Sequence, residues 1–282
     1  ATDYDTMVRC LETAREMKNS CALEIPGVHL EGPYFANEMC GAQAPGIVRA
    51  IDYEEYTSLL DKYSDIIARW DYAPEKDKDN AFVKDVTAKG IITATAHSAA
   101  EYDDVLRAFQ DGNRLITHLY SCTSTITRHK GFRHLGIIES AYLLDDMYVE
   151  TIADGRHLPL DLLRMIIKIK GTDRVCLVTD AIRFGGINED GKEYHDCPVP
   201  FVVEDGVAKL LDKSAFAGSI ATSDILLKTA VEAGFSIADS VKMMTETPAN
   251  VMKLDTKGKI KAGYDAQFTV FDESLNIVDI KL

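Results

Sequence analysis

The chain alternates short apolar runs with amphipathic stretches along most of its length. Residues 3–19 carry apolar positions at helical spacing, with no strand signal before them. Strand-like runs then occupy 22–31, 65–75, 90–98, 114–120, 147–155 and 174–182. Between them lie helical patterns at 51–64, 79–90, 98–112, 136–146 and 158–171. Gly90 stands where a C′ glycine is expected, and Ser98 with Glu101 has capping-box spacing. Alternation of this kind predicts a parallel sheet built from six β–α steps ending near Ile182. The fold class is therefore α/β. Six steps are two short of a closed eight-strand barrel, so either the sheet is open or the chain starts inside a barrel.

Beyond 182 the period changes. Residues 191–213 alternate and contain Asp205–Gly206, which predicts an inserted β-hairpin. Helical patterns return at 222–234 and 236–254, with Pro248 at a helix end or start. Residues 258–282 read as short strands with turns. The reading divides the chain into a barrel over 1–255 and a small C-terminal β piece over 256–282.

Four polar residues close apolar runs: Glu31 in HLEGPYF, His97 in TAHS, His118 in THLY and Asp180 in LVTDA. A polar residue at the C-terminal end of a parallel strand sits where α/β barrels place their chemistry. Any one of these histidines alone reads as a hydrogen-bonded core residue. Two in succession after a strand-end carboxylate read as a metal site, because one Glu and two His leave a coordination position open. Asp180 is either the cap of the next helix or the carboxylate that takes a proton from attacking water and returns it to a leaving group. His157, in IADGRHLP, is a candidate substrate contact or a plain helix-start residue. Arg128, His129, Lys130, Arg133 and His134 concentrate basic charge after His118, suited to a phosphate or to an exposed loop.

Charge and cysteine content narrow the classes. A net charge of −14 disfavours nucleic acid and membrane surfaces as partners. No run approaches a membrane span and no signal-peptide pattern opens the chain. The six cysteines (Cys10, Cys21, Cys40, Cys122, Cys176, Cys197) show no CxxC spacing and read as reduced thiols, which points to the cytoplasm.

With these residues assembled, the chain resembles the N-acetylglucosamine-6-phosphate deacetylases of the amidohydrolase superfamily. The ordered set HLEGPYF, TAHS, THLY, IADGRH, LVTDA, AFAGS and GKIKAGYDAQFTVFD carries the resemblance. It implies a (β/α)8 TIM-like barrel joined to a small β-sandwich, with the first strands preceding Ala1. It implies a divalent cofactor, zinc foremost and iron, cobalt, nickel or manganese as alternatives, held by Glu31, His97 and His118. Asp180 then matches the catalytic acid/base and His157 a histidine near the acetamide. Ala42, Gln43, Ser121, Cys122, Arg128, Phe216, Ala217 and Gly218 match substrate-side positions, with His129 or Arg133 as alternatives to Arg128. The implied partner is a small amino sugar phosphate, and the implied assembly a homodimer. The chain departs from the family at Gln43, where His is common, at Ser121-Cys122, where Asn-Ala is usual, and in the arginine loop. All three departures lie on the substrate side. A cyclic-amide hydrolase of the dihydroorotase type would need a bridging lysine, and strand 65–75 has none. A non-catalytic sugar-phosphate binder on the same scaffold would have no need of Asp180.

Overall fold

The structure, a computed structural model, describes residues 1–20, 24–44, 46–197 and 199–281. Cys21 and the start of the first strand reading, Ala22-Leu23, lie outside the described residues, as does Pro198 in the hairpin reading. The chain divides into two compact units, Ala1–Met147 and Tyr148–Leu282.

The first unit opens with α1 (Tyr4–Ser20) and then alternates: β1 (Val28–Glu31), α2 (Tyr53–Tyr63), β2 (Ile67–Tyr72), α3 (Ala81–Ala88), β3 (Ile92–Thr95), α4 (Tyr102–Gln110), β4 (Leu115–Ile116). Consecutive strands pair in parallel, with Glu31 opposite Asp71 and Trp70 opposite Thr93. Asp52 caps α2 by accepting from the Glu55 N–H, and acidic residues fill the helix's first turn. Lys89 and Gly90 end α3, Gly90 at φ 80°, as the pattern predicts.

Alternation along β2 divides its side chains. Trp70 and Tyr72 join Leu30, Tyr34, Tyr56, Leu59 and Phe82 in the apolar cluster beneath the helices. Phe82 stands edge-on to Tyr34, Tyr56 and Trp70 at 5.2–5.5 Å between centroids. Arg69 and Asp71 take the other face, both buried. There the Arg69 guanidinium donates to both Asp71 oxygens at 2.7 and 3.1 Å, and the Thr117 hydroxyl donates to Asp71 at 2.6 Å. The His29 Nε2 lies 2.9 Å from the same carboxylate. Burial alone would raise the Asp71 carboxyl; Arg69 and His29 outweigh it and hold the group well below the usual range.

Two local readings are corrected. Ser98 is not the cap of α4: the helix starts at Tyr102 and Glu101 is the N-cap residue, while the Ser98 hydroxyl donates to Glu75 at 2.6 Å. The polar stretch after His118 is not a plain loop but a hairpin, β5 (Thr127–His129) and β6 (Phe132–His134), followed by α5 (Ile137–Leu143). Its turn residues Lys130 and Gly131 both have positive φ, the two-residue turn that matches strand twist.

In the second unit β7 (Tyr148–Ile152), α6 (Leu160–Lys170) and β8 (Val175–Val178) continue the predicted alternation, and β7 pairs with β8 in parallel. The inserted piece is larger than a hairpin. The strands β9 (Glu193–Tyr194), β10 (Phe201–Glu204), β11 (Val207–Leu210) and β12 (Phe216–Gly218) form a four-stranded antiparallel sheet. Asp205–Gly206 makes the predicted turn between β10 and β11. Phe201, Val203, Ala208 and Ile220 give this sheet its own small core. Helices α7 (Ser223–Glu232), α8 (Ile237–Met244) and α9 (Glu246–Val251) follow, with the break at Thr245 and Pro248 in the first turn of α9. The tail is one antiparallel pair, β13 (Phe268–Phe271) and β14 (Ile277–Lys281). Among the described residues the five cysteines are free thiols, and no helix is long and apolar enough to cross a membrane.

Candidate metal centre

Three residues far apart in sequence meet in the first unit. Glu31 ends β1, while His97 and His118 each follow the end of a strand by two residues. One oxygen of Glu31, Oε1, lies 3.0 Å from His97 Nε2 and 3.2 Å from His118 Nε2. Both histidines are buried and the carboxylate is half-buried. Their backbones are unusual in the same way. His97 has φ 45° and His118 φ 31°, a region that β-strand geometry never reaches and that non-glycine residues seldom occupy. The chain turns at the strand end and aims each imidazole back at the carboxylate.

The other ring nitrogen of each histidine fixes its orientation. His97 Nδ1 lies 2.8 Å from the Met39 carbonyl, and His118 Nδ1 lies 3.1 Å from that of Ser121. A carbonyl only accepts, so each Nδ1 carries the hydrogen and donates. In a neutral ring the Nε2 lone pair then faces a carboxylate oxygen, an acceptor facing two acceptors. That arrangement requires positive charge between them, from protons or from a metal ion. Without a metal, protons fill the role. Burial works against the charged His97 ring, yet hydrogen bonds with Cys122 and Glu31 push its imidazole up to about 10. Burial likewise opposes the Glu31 anion, and hydrogen bonds from His118 and His97 hold its carboxyl well below the ordinary value. The donor set is one carboxylate and two imidazoles with Nε2 outward and Nδ1 anchored. It fits a divalent ion of the zinc type with a position left open.

Glycine permits the approach of β1 to this site. Gly32 has φ +83°, and a Cβ there would stand 2.6 Å from the Phe35 ring. Phe35 in turn packs on the His97 ring at 4.7 Å.

The substrate-side candidates fall in several places. Ala42 and Gln43 are half-buried, and Gln43 Nε2 reaches Glu31 Oε2 at 3.5 Å. Ser121 serves through its carbonyl, already noted. Cys122 lies against His97, which lowers its thiol pKa although burial opposes this. Arg128 is exposed on β5, directly opposite Arg133 on β6. Like charges facing across a strand pair are unfavourable unless an anion lies between them.

In the second unit Asp180 is exposed, just past β8, with φ 47°. Its carbonyl accepts from the Ser219 N–H and Ile182 N–H donates to Ser219, so the end of β12 is stitched to this turn. Gly218 is required there: φ is +132° and a Cβ would meet Ile182 at 2.5 Å. Phe216, Ala217 and Gly218 are thus a strand paired with β11. The Phe216 ring stands edge-on to the His157 ring at 4.8 Å. Asp154 does more than shape a turn. One of its oxygens accepts the Arg156 and His157 N–H groups, each at 2.8 Å, and the other lies 2.7 Å from His157 Nδ1. That pairing leaves His157 Nε2 as the nitrogen able to meet another molecule.

Sequence reasoning missed three contributors. Met39 acts through a backbone carbonyl, which no side-chain motif betrays. The Arg69–Asp71 pair could have been noticed as charges at alternate positions inside an apolar strand. Asp154 could have been noticed as the partner three residues before His157.

Comparison with known proteins fits this geometry. The chain is 29% identical over 260 residues to the N-acetylglucosamine-6-phosphate deacetylase of Lysinibacillus sphaericus, covering 89% of this chain and 64% of the relative. It is 27% identical over 281 residues to the N-acetylgalactosamine-6-phosphate deacetylase of Shewanella sp. ANA-3, covering 99% of this chain and 68% of the relative. It therefore spans about two thirds of the length of these curated relatives. The crystal structure of the N-acetylglucosamine-6-phosphate deacetylase of Pasteurella multocida superposes with a TM-score of 0.90 at 28% identity, over 100% of this chain and 72% of the other. The model of the amidohydrolase family matches residues 2–281, and the chain belongs to that family.

Proposed function

We propose that this protein is a metal-dependent deacetylase that hydrolyses the acetamide of N-acetylglucosamine 6-phosphate to glucosamine 6-phosphate and acetate. The observation that carries the reading is the Glu31 oxygen facing two histidine Nε2 atoms whose Nδ1 hydrogens are committed to carbonyls. Glu31, His97 and His118 would hold the ion, with zinc the best match to a carboxylate and two imidazoles. An ion held there would supply an acidified water and a polarised amide carbonyl. Asp180 takes a proton from the attacking water and returns it to the nitrogen as the C–N bond breaks, releasing acetate and a free amine. His157, held at Nδ1 by Asp154, orients the acetamide oxygen through Nε2. Arg128 with Arg133 supplies paired guanidinium donors for the phosphate. The resemblance assigns Ala42, Gln43, Ser121, Cys122, Phe216, Ala217 and Gly218 to the substrate side.

On the same reading, residues 1–255 belong to a (β/α)8 barrel carrying the sheet around 191–213, and 256–282 to a small β-sandwich. The protein works in the cytoplasm as a homodimer. A second substrate, N-acetylgalactosamine 6-phosphate, is favoured by the Shewanella relative, and the departures at Gln43 and Ser121-Cys122 lie on the side that would distinguish the two sugars. The test is acetate release from both sugar phosphates and from unphosphorylated N-acetylglucosamine, with and without chelator. Chelator-sensitive release that is at least tenfold faster with a phosphate supports the reading. Equal rates on phosphorylated and unphosphorylated sugar contradict the phosphate assignment, and chelator-insensitive release contradicts the metal.

A further inference from the structure

The hairpin after His118 carries two different faces. Its register sets Thr127 opposite His134, Arg128 opposite Arg133 and His129 opposite Phe132. Alternation then places Arg128 and Arg133 on one face and His129 and His134, diagonal neighbours, on the other. The histidine face meets Glu101, the residue that starts α4. His129 Nε2 lies 2.6 Å from Glu101 Oε1, and His134 Nδ1 lies 3.0 Å from Glu101 Oε2. The two rings stand perpendicular, 85° between planes, with centroids 4.5 Å apart.

The backbone beneath these side chains is fixed from both sides. Glu101 bridges to Gly136, and the Tyr102 N–H donates to the Leu135 carbonyl at 3.0 Å. A Cβ on Gly136 would lie 2.6 Å from the Ser124–Thr125 backbone, so the two segments are in close contact there. One side-chain ligand atom from each of Glu101, His129 and His134 lies within 4.8 Å of the others. A tetrahedral ion with ligands about 2.0–2.1 Å away needs neighbouring donors roughly 3.3 Å apart; here the two nitrogen–oxygen separations are 2.6 and 3.0 Å, and one donor from each residue lies within 4.8 Å of the other two.

We propose that Glu101, His129 and His134 form a second divalent-metal site, one for a borderline ion such as zinc, nickel or copper(II), that ties the hairpin to the start of α4. Two imidazoles and one carboxylate are the donor set these ions prefer over calcium or magnesium. The site is open to solvent, so an ion enters without rearrangement of the fold. Repulsion from the arginines is limited because they project from the opposite face of the hairpin. The site does not depend on the proposed reaction, and it uses none of the residues assigned to it.

The test is a zinc titration of tag-free, metal-stripped protein, with stoichiometry read by calorimetry and by elemental analysis after desalting. The parent should take two equivalents. His129→Ala and His134→Ala should each lose one equivalent and keep the other, and retention of that other equivalent shows that the variant is folded. His134→Gln separates a metal site from a simple ion pair. The amide can still donate to Glu101 but is a poor ligand, so this variant should also lose one equivalent while its thermal midpoint without zinc stays within a few degrees of the parent. In a His118→Ala background the hairpin equivalent should persist and then disappear with His134→Gln. A parent that binds one equivalent, lost entirely in His118→Ala, overturns the proposal. So does a second equivalent that survives all three hairpin substitutions, since it would then be adventitious zinc held elsewhere.

Discussion

Two clusters in the first unit each combine one Glu with two His, and they are built differently. At Glu31, His97 and His118 both rings are buried, both Nδ1 atoms are committed to backbone carbonyls, and both Nε2 atoms converge on one oxygen. At Glu101, His129 and His134 the side chains are 38–59% exposed, one ring offers Nε2 and the other Nδ1, and each meets a different oxygen. The first arrangement commits its groups before any ion arrives. The second can rearrange, and water screens its charges. Residue identity is therefore a weak guide to chemistry; burial and the anchoring of the distal nitrogen separate the buried cluster from the exposed one.

On the proposed function, the largest effect is expected from Asp180→Asn. Turnover should fall by about 10²–10⁴-fold, the usual worth of a general acid–base, while metal content stays at the parent level. Near-parental kcat would remove Asp180 from the role.

The next effect concerns the polar layer beside the buried triad. Asp71→Asn removes the carboxylate that accepts from the buried Arg69 guanidinium, and loss of one partner of a buried pair costs about 3–5 kcal/mol. Urea unfolding at neutral pH measures it. The Asp71 carboxyl is held below its ordinary value, so its contribution is complete above the unfolded pKa and is lost as pH falls through the folded one. The variant should flatten the acid limb of the stability profile, and an unchanged limb would assign acid unfolding to other carboxylates.

On the arginine face of the hairpin, Arg128→Ala should raise KM for the phosphorylated sugar by about one to two orders of magnitude, from the loss of roughly 1.5–3 kcal/mol per charge-assisted bond. The unphosphorylated sugar should be unaffected. Equal loss on both would make the defect one of folding. The smallest effect is expected at the clasp: Glu101→Ala should change metal-free stability by about 1 kcal/mol or less, because its partners are exposed. A loss several times larger would mean that the hairpin cluster, too, is structurally committed.

The sequence carried some of this and not the rest, for physical reasons. Each strand of the alternation announced itself because a buried strand is a short apolar run between turn signals, and Glu31, His97, His118 and Asp180 stood out as polar residues closing such runs. The anchoring of the imidazoles was invisible, since the Met39 and Ser121 carbonyls belong to the backbone and any residue could supply them. The hairpin at 127–134 was hidden by its charge: Arg, His and Lys fill an exposed two-stranded ribbon and leave no apolar alternation to read. The strand Phe216–Gly218 is too short to show a period, and it is defined by pairing with β11 rather than by its own composition.

The proposed function requires that Glu31, His97 and His118 hold one divalent ion on which hydrolysis depends. The most direct measurement compares metal content and acetate release in the parent and in His118→Ala, with the fold checked by circular dichroism. The variant, with an unchanged spectrum, should carry one equivalent of metal fewer and release no acetate above background. A folded variant with the parent's metal content, or with the parent's rate, would contradict it.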